Sequence, residues 1–206
     1  MNFAYDIIAA KAEQKPDDIA VRWHTSEGFV LEISNADLHH HSDVTAYYLQ
    51  RMGVEKGCIV FLYGLETIFE FTTILTALHK LSAIPVFDLR KKPVERCNEL
   101  NAYAVIVKND SSVISLIDNN IHQFKTLEIK ISVGFPYPKN WFDLHTGVRL
   151  AGMFKKPKNF PKNYTSLVAY DQKPIFYDNK YFTETADNYL WNKFYRSMID
   201  NQVFEF

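Results

Sequence analysis

Apolar positions along this chain recur at two different periods, and the switches between them mark the expected elements. Ala4, Ile7, Ile8 and the Lys11–Ala12 pair fall at helical spacing between Phe3 and Gln14, and Pro16 closes that segment. Ile19 to His24 and Phe29 to Ile33 then read as two strands around Thr25-Ser26-Glu27-Gly28, a hairpin loop containing glycine. In the second strand Phe29, Leu31 and Ile33 alternate with Val30 and Glu32, which predicts one apolar face. Ser34 with Asp37 makes a weak capping box. The helix it opens carries Leu38, His41, Thr45, Tyr48 and Met52 on one stripe and stops at Gly53.

A βαβ unit follows: strand Ile59 to Tyr63, helix Glu66 to Leu81, strand Ile84 to Phe87. Its helix places Ile68, Phe71, Leu75 and Leu78 on one stripe, and the right-handed crossover seeds a parallel sheet. The pattern repeats more faintly. Helix Val94 to Leu100 leads to strand Ala104 to Val107, and helix Ser112 to Asn119 leads to strand Leu127 to Val133. Beyond Val133 prolines interrupt the chain around a short helix, Trp141 to Ala151. Two strand candidates come next, Thr165 to Tyr170 and Ile175 to Tyr177, then a last helix from Thr183 to about Asp200. The expected fold is α/β, a mostly parallel sheet flanked by helices with an N-terminal β-hairpin. Residues 1–206 are taken as one domain, 1–133 its core layer and 134–206 an extension.

Composition narrows the function by exclusion. The 23 Lys and Arg balance 24 Asp and Glu, so neither nucleic acid nor an anionic membrane has an electrostatic case. The basic cluster Lys155, Lys156, Lys158 and Lys162 is diluted by Pro157 and Pro161 and reads as a solvated loop. Asp6, Lys11, Glu13 and Lys15 leave no signal-peptide core, and Glu70, His79 and Lys80 interrupt the most apolar run, Thr67 to Phe87. Cys58 and Cys97 lie outside metal-ligand spacing, with Cys58 expected in a buried strand. A reduced, cytoplasmic protein is the expectation.

The chemistry-bearing residues have structural explanations. Consecutive helical residues point about 100° apart, so His39, His40 and His41 cannot converge on one ion. His41 is expected on the core stripe, with His39 and His40 solvated. His79 and Lys80 at one helix end, and Glu66 and Glu70 at its start, match the helix dipole. No nucleophile elbow, Gly-x-Gly-x-x-Gly run or Walker loop occurs.

Three stretches carry a family resemblance: NFAYDIIAAKAEQKPDDIAVRW, SNADLHHHSDVTAYYLQRMGVEKGCIVFL and FEFTTILTALHKLSAIPV, with weaker echoes in ERCNELNAYAVIV and WFDLH. In order and spacing they resemble the opening of AMP-forming acyl-CoA synthetases, most closely the medium-chain branch. That resemblance implies an α/β layer of a large N-terminal domain. In the family a Ser/Thr/Gly-rich loop ending in Pro-Lys cradles the ATP phosphates after a strand that corresponds here to Ser166–Tyr170. This chain continues SLVAYDQKPIFYDNKYF, in which Asp171-Gln172-Lys173-Pro174 keeps the far end and the Ser/Thr/Gly run is missing. A phosphate cradle needs inward-turned amides, usually on glycines with positive φ, and the last glycine is Gly152. Asp171 adds a negative charge, so a tight connection between two strands is expected. Tyr181-Phe182-Thr183-Glu184-Thr185 is similar to the family's adenine motif but lacks its glycine and reads as a helix start. The acyl pocket, ribose-binding aspartate, hinge and catalytic lysine have no counterpart before Phe206.

The expectation is therefore a truncated, non-catalytic relative acting as a binding or assembly module, with no catalytic, cofactor or metal residues. A homodimer or protein partner would cover apolar surface around Trp191, Phe194, Tyr195, Phe204 and Phe206; the competing reading packs these on their own core. The alternative is one part of a split ligase, taking ATP or AMP and CoA only with a second chain.

Overall fold

The computed structural model describes residues 2–158, 165–178 and 189–206. An N-terminal helix is wound wide over Phe3–Ala9 and continues as α1, Ala10–Gln14. The hairpin β1 (Ile19–His24) and β2 (Val30–Ser34) precedes α2 (Asn35–Arg51). Then come β3 (Ile59–Tyr63), α3 (Phe71–Leu81), β4 (Ile84–Asp88), α4 (Pro93–Leu100), β5 (Ala104–Lys108), α5 (Ser111–Asn119) and β6 (Ile129–Val133). The chain finishes with β7 (Phe142–Asp143), α6 (Leu144–Arg149), β8 (Thr165–Tyr170), β9 (Pro174–Asp178), α7 (Leu190–Ile199) and β10 (Phe204–Glu205).

Seven strands form one sheet in the order β7-β6-β5-β3-β4-β8-β9, parallel except for β9. The first strand, β3, is central: β4 pairs on one side and β5 on the other. Alternation along each strand splits the core in two. Val60, Leu62, Ala104 and Ile106 face the side covered by α2, α3, α6 and α7, whereas Phe61, Tyr63, Val105 and Val107 face α4 and α5. Burial on both faces explains why these strands are nearly continuous apolar runs.

The residues after Val133 return into both sheets. β8 pairs in parallel with β4, and β10 adds to β1 as the third strand of a small sheet, β10-β1-β2. Ala20, Val21, Ile33 and Phe204 tie this small sheet into the α2/α3 core.

Expectations for α2 and α3 need correction. His41 is exposed, because the buried stripe of α2 is Leu38, Ser42, Thr45, Ala46 and Leu49; small polar residues occupy core positions. His39, expected to be solvated, is half-buried. The helix expected from Glu66 starts at Phe71, after a separate tight turn at Leu65–Thr67. The last helix is seen from Leu190; its expected start at Thr183, and the Tyr181–Thr185 segment, lie outside the described residues. Ser34 caps α2 as expected, with Asp37 N donating to Ser34 Oγ at 3.1 Å; the return bond of a capping box is replaced by Ser34 Oγ donating to Asp37 Oδ2 at 2.7 Å.

Candidate functional site

In an open α/β sheet, ligands bind beyond the carboxyl ends of the strands, at the point where strand order reverses. Here that point lies between β3 and β5, and the carboxyl ends of β3, β4, β5, β6 and β8 share one edge. The two halves of this edge differ sharply.

The β4–β8 half is closed by the protein itself. Asp88 ends β4 opposite Tyr170 of β8, and its side chain is wholly buried. Arg96 reaches it from α4, lies 4.1 Å over the Tyr170 ring, and donates to Asp88 Oδ1, to the Tyr170 carbonyl at 2.5 Å and to the Asp171 carbonyl. The other Asp88 oxygen accepts from the Tyr63 hydroxyl at 3.1 Å and from Lys92 N at 2.7 Å. Outside, Arg90 Nε donates to Asp171 Oδ1 at 2.5 Å, a bond that holds the Asp171 carboxyl below its ordinary range. Desolvation, reinforced by Cys97 and Asp88, keeps the Tyr63 hydroxyl well above its usual pKa. The expected tight connection is thus observed: Asp171, Gln172 and Lys173 join antiparallel β8 and β9, locked by two arginines.

The β3–β5–β6 half is open. A cavity of about 380 Å³ is lined by Trp23, Ile68, Phe69, Lys108, Asn109 and Phe135, among others. Lys108 Nζ donates to Thr67 Oγ1 at 3.0 Å across the reversal point. A second cavity, about 370 Å³, lies between α2, the start of α3 and α6. Phe69, Glu70 and His145 line both, and His145 Nε2 meets Glu70 Oε1 at 2.6 Å between them. Glu70 therefore answers a histidine 75 residues away, beyond any dipole role.

α6 is held in place by its cap and by a glycine. Asp143 accepts from Thr146 N at 2.8 Å. At Gly147 a Cβ would overlap the Tyr48 ring of α2. Gly147→Ala is expected to push α6 off α2 and to lower stability by about 1–3 kcal/mol in urea unfolding, the range for overpacking.

His79 and Lys80 are also more than helix-end charges. Both are fully buried. Lys80 Nζ donates to Asp43 Oδ1 at 2.7 Å and to the His39 carbonyl at 2.8 Å, while burial pushes its pKa down to about 8. His79 Nε2 is hydrogen-bonded to Tyr195 Oη at 2.5 Å, and burial lowers its pKa to about 3.

The expected interface residues are mostly interior, which is a correction. Trp191, Phe194, Tyr195 and Phe204 are at most 2% exposed. Phe3 meets the Phe194 and Tyr195 rings edge-on, Trp191 stacks on Phe87, and Phe206, half-buried, stacks on Phe204 and Trp23. An apolar stripe on α7 had a face of its own chain to cover. Cys97 is buried, but Cys58 is half-buried just ahead of β3, not inside a strand as expected; both are free thiols. Lys155, Lys156 and Lys158 are exposed, and Lys156 sits 4.6 Å over the Tyr5 ring; Lys162 lies outside the described residues. Among the described residues, no group of three or more His, Cys, Asp or Glu side chains is placed to hold a metal ion, and no helix is long and apolar enough to cross a membrane.

The solved structure of the anthranilate CoA ligase AuaEII in complex with anthranoyl-AMP matches this architecture with a TM-score of 0.73. The match covers 86% of this chain and 34% of the ligase, at 18% sequence identity. The fold is similar to one α/β layer of that ligase. This chain spans about a third of that ligase's length, and at such an identity the likeness is one of fold. No family model matches the sequence, and no curated protein does.

Proposed function

We propose that this ligase-like layer is a binding or assembly module that does not form an acyl-adenylate by itself, related through its opening segments to the medium-chain acyl-CoA synthetases. The observation carrying this reading is the three-residue β8–β9 turn, Asp171–Lys173, sealed by Arg90 and Arg96. Adenylate formation requires ATP phosphates to be positioned and their charge offset. At this turn both guanidinium groups are already engaged, one by a buried aspartate and one by Asp171. No glycine follows Gly152 to turn consecutive amides inward. Partner binding, to a second copy or another protein, is supported by exposed apolar side chains on the hairpin (Phe29, Val30, Leu31) and on edge strand β9 (Ile175, Phe176).

Calorimetric titration with magnesium-ATP, and separately with AMP, tests the reading. No saturable heat is expected up to about 1 mM nucleotide. Micromolar binding would overturn it and favour a ligase completed by a second chain.

A further inference from the structure

The cavity between α2, α3 and α6 has its own chemistry. Its volume, about 370 Å³, falls within the range of small-ligand pockets. Val44, Phe69, Ile74, Leu144 and Val148 make most of its wall apolar. Glu70 is the one carboxylate among its described lining residues, which also include His40, His41 and His145 and no Lys or Arg. Glu70 Oε1 accepts from His145 Nε2 at 2.6 Å. A carboxylate only accepts, so Nε2 carries the proton, and Glu70 Oε2 remains an acceptor. A carboxylate or phosphate at Glu70 therefore meets like charge, whereas an ammonium group there meets an acceptor of opposite charge. Lys108 lines the neighbouring cavity, so a cation is favoured on the α6 side of the Glu70–His145 pair.

We propose that this cavity binds a small monoamine, its ammonium on Glu70 and its single aryl or branched alkyl body against Val44, Ile74 and Val148. The α6 wall is held in place before a ligand arrives, by the Asp143 cap and the close Gly147–Tyr48 approach. Little ordering is then left for binding to supply. The proposal goes beyond the preceding reading and does not rest on it, because the cavity uses no residue of the β8–β9 turn.

The test is calorimetric titration of the whole chain at neutral pH with 2-phenylethylamine and 3-methylbutylamine, alongside 2-phenylethanol and 3-phenylpropanoate. At least one amine is expected to bind one-to-one with a Kd of about 1 mM or tighter, and the alcohol and carboxylate more weakly. Glu70→Gln is expected to weaken amine binding about tenfold, the loss of one charge-assisted hydrogen bond. Val148→Phe fills the apolar end and is expected to abolish it; should that variant misfold, the part-exposed Glu70→Gln still decides. No saturation by either amine at about 10 mM overturns the proposal. So does equal binding of amine and alcohol, or an affinity unchanged in Glu70→Gln.

Discussion

Arg96→Ala is expected to lower stability by about 3–5 kcal/mol, the cost of leaving one member of a buried ion pair alone. Asp88 is fully buried on its side chain, and Arg96 is 6% exposed. The truncation also takes a donor from the Tyr170 and Asp171 carbonyls and removes the guanidinium from the Tyr170 ring. Tyr63, Arg90 N and Lys92 N still donate to Asp88, which places the loss below that of an unsupported carboxylate. Urea unfolding gives the number, and the double variant Asp88→Asn with Arg96→Met gives the cause. If stranded charge is the main penalty, the double variant loses less than Arg96→Ala alone. An Arg96→Ala loss under about 1 kcal/mol would show that the turn holds without its cation.

Acid is expected to weaken the fold through His79. Its pKa is about 3 in the fold, against an ordinary value of 6.5. Between those values the unfolded chain binds a proton that the folded chain refuses. Stability therefore falls as pH drops below about 6.5, by about 1.4 kcal/mol per pH unit from this group, until pH approaches about 3. Urea midpoints at pH 7, 5.5 and 4.5 measure the slope. His79→Phe costs stability at neutral pH, because Tyr195 loses a partner, but it should flatten this slope. A variant as acid-sensitive as the parent would assign the slope to carboxylates elsewhere.

Neither effect could be read from the sequence, although the elements that produce them could. Periodicity placed β3, β4, β5, α4 and α5 to within a residue or two, since helices and strands announce themselves over a few turns or pleats. Asp88 and Arg96 have no such local signal. Their meaning comes from β8, which reaches Asp88 only because strand order sets β4 beside a strand some 80 positions on. A helix-end His-Lys pair looks like dipole complementation until α2 and α7 pack on it. α2 shows the opposite limit: Ser42 and Thr45 are polar by composition yet small enough to bury, so the exposed His41 fitted the stripe on paper. The tight connection after Tyr170 was legible because it concerns contiguous residues, and the structure adds that two arginines bond to the turn. For Phe204 the sequence left interface and own-core packing both open; a strand of two residues is too short to show a period.

The strand order has a kinetic consequence. β3 and β4 are joined by one helix, so their pairing closes a short loop and can form early; β4 must wait for β8 across a much longer closure. α4 follows β4 directly and belongs to that early, locally connected part. Asp88 and Arg96 are then in place before the carbonyls of Tyr170 and Asp171 arrive. Contacts at the β8 seam form late on such a route, and interactions that form late act mainly on the unfolding rate. The sealed turn is in that sense a brake on unfolding rather than a guide to folding.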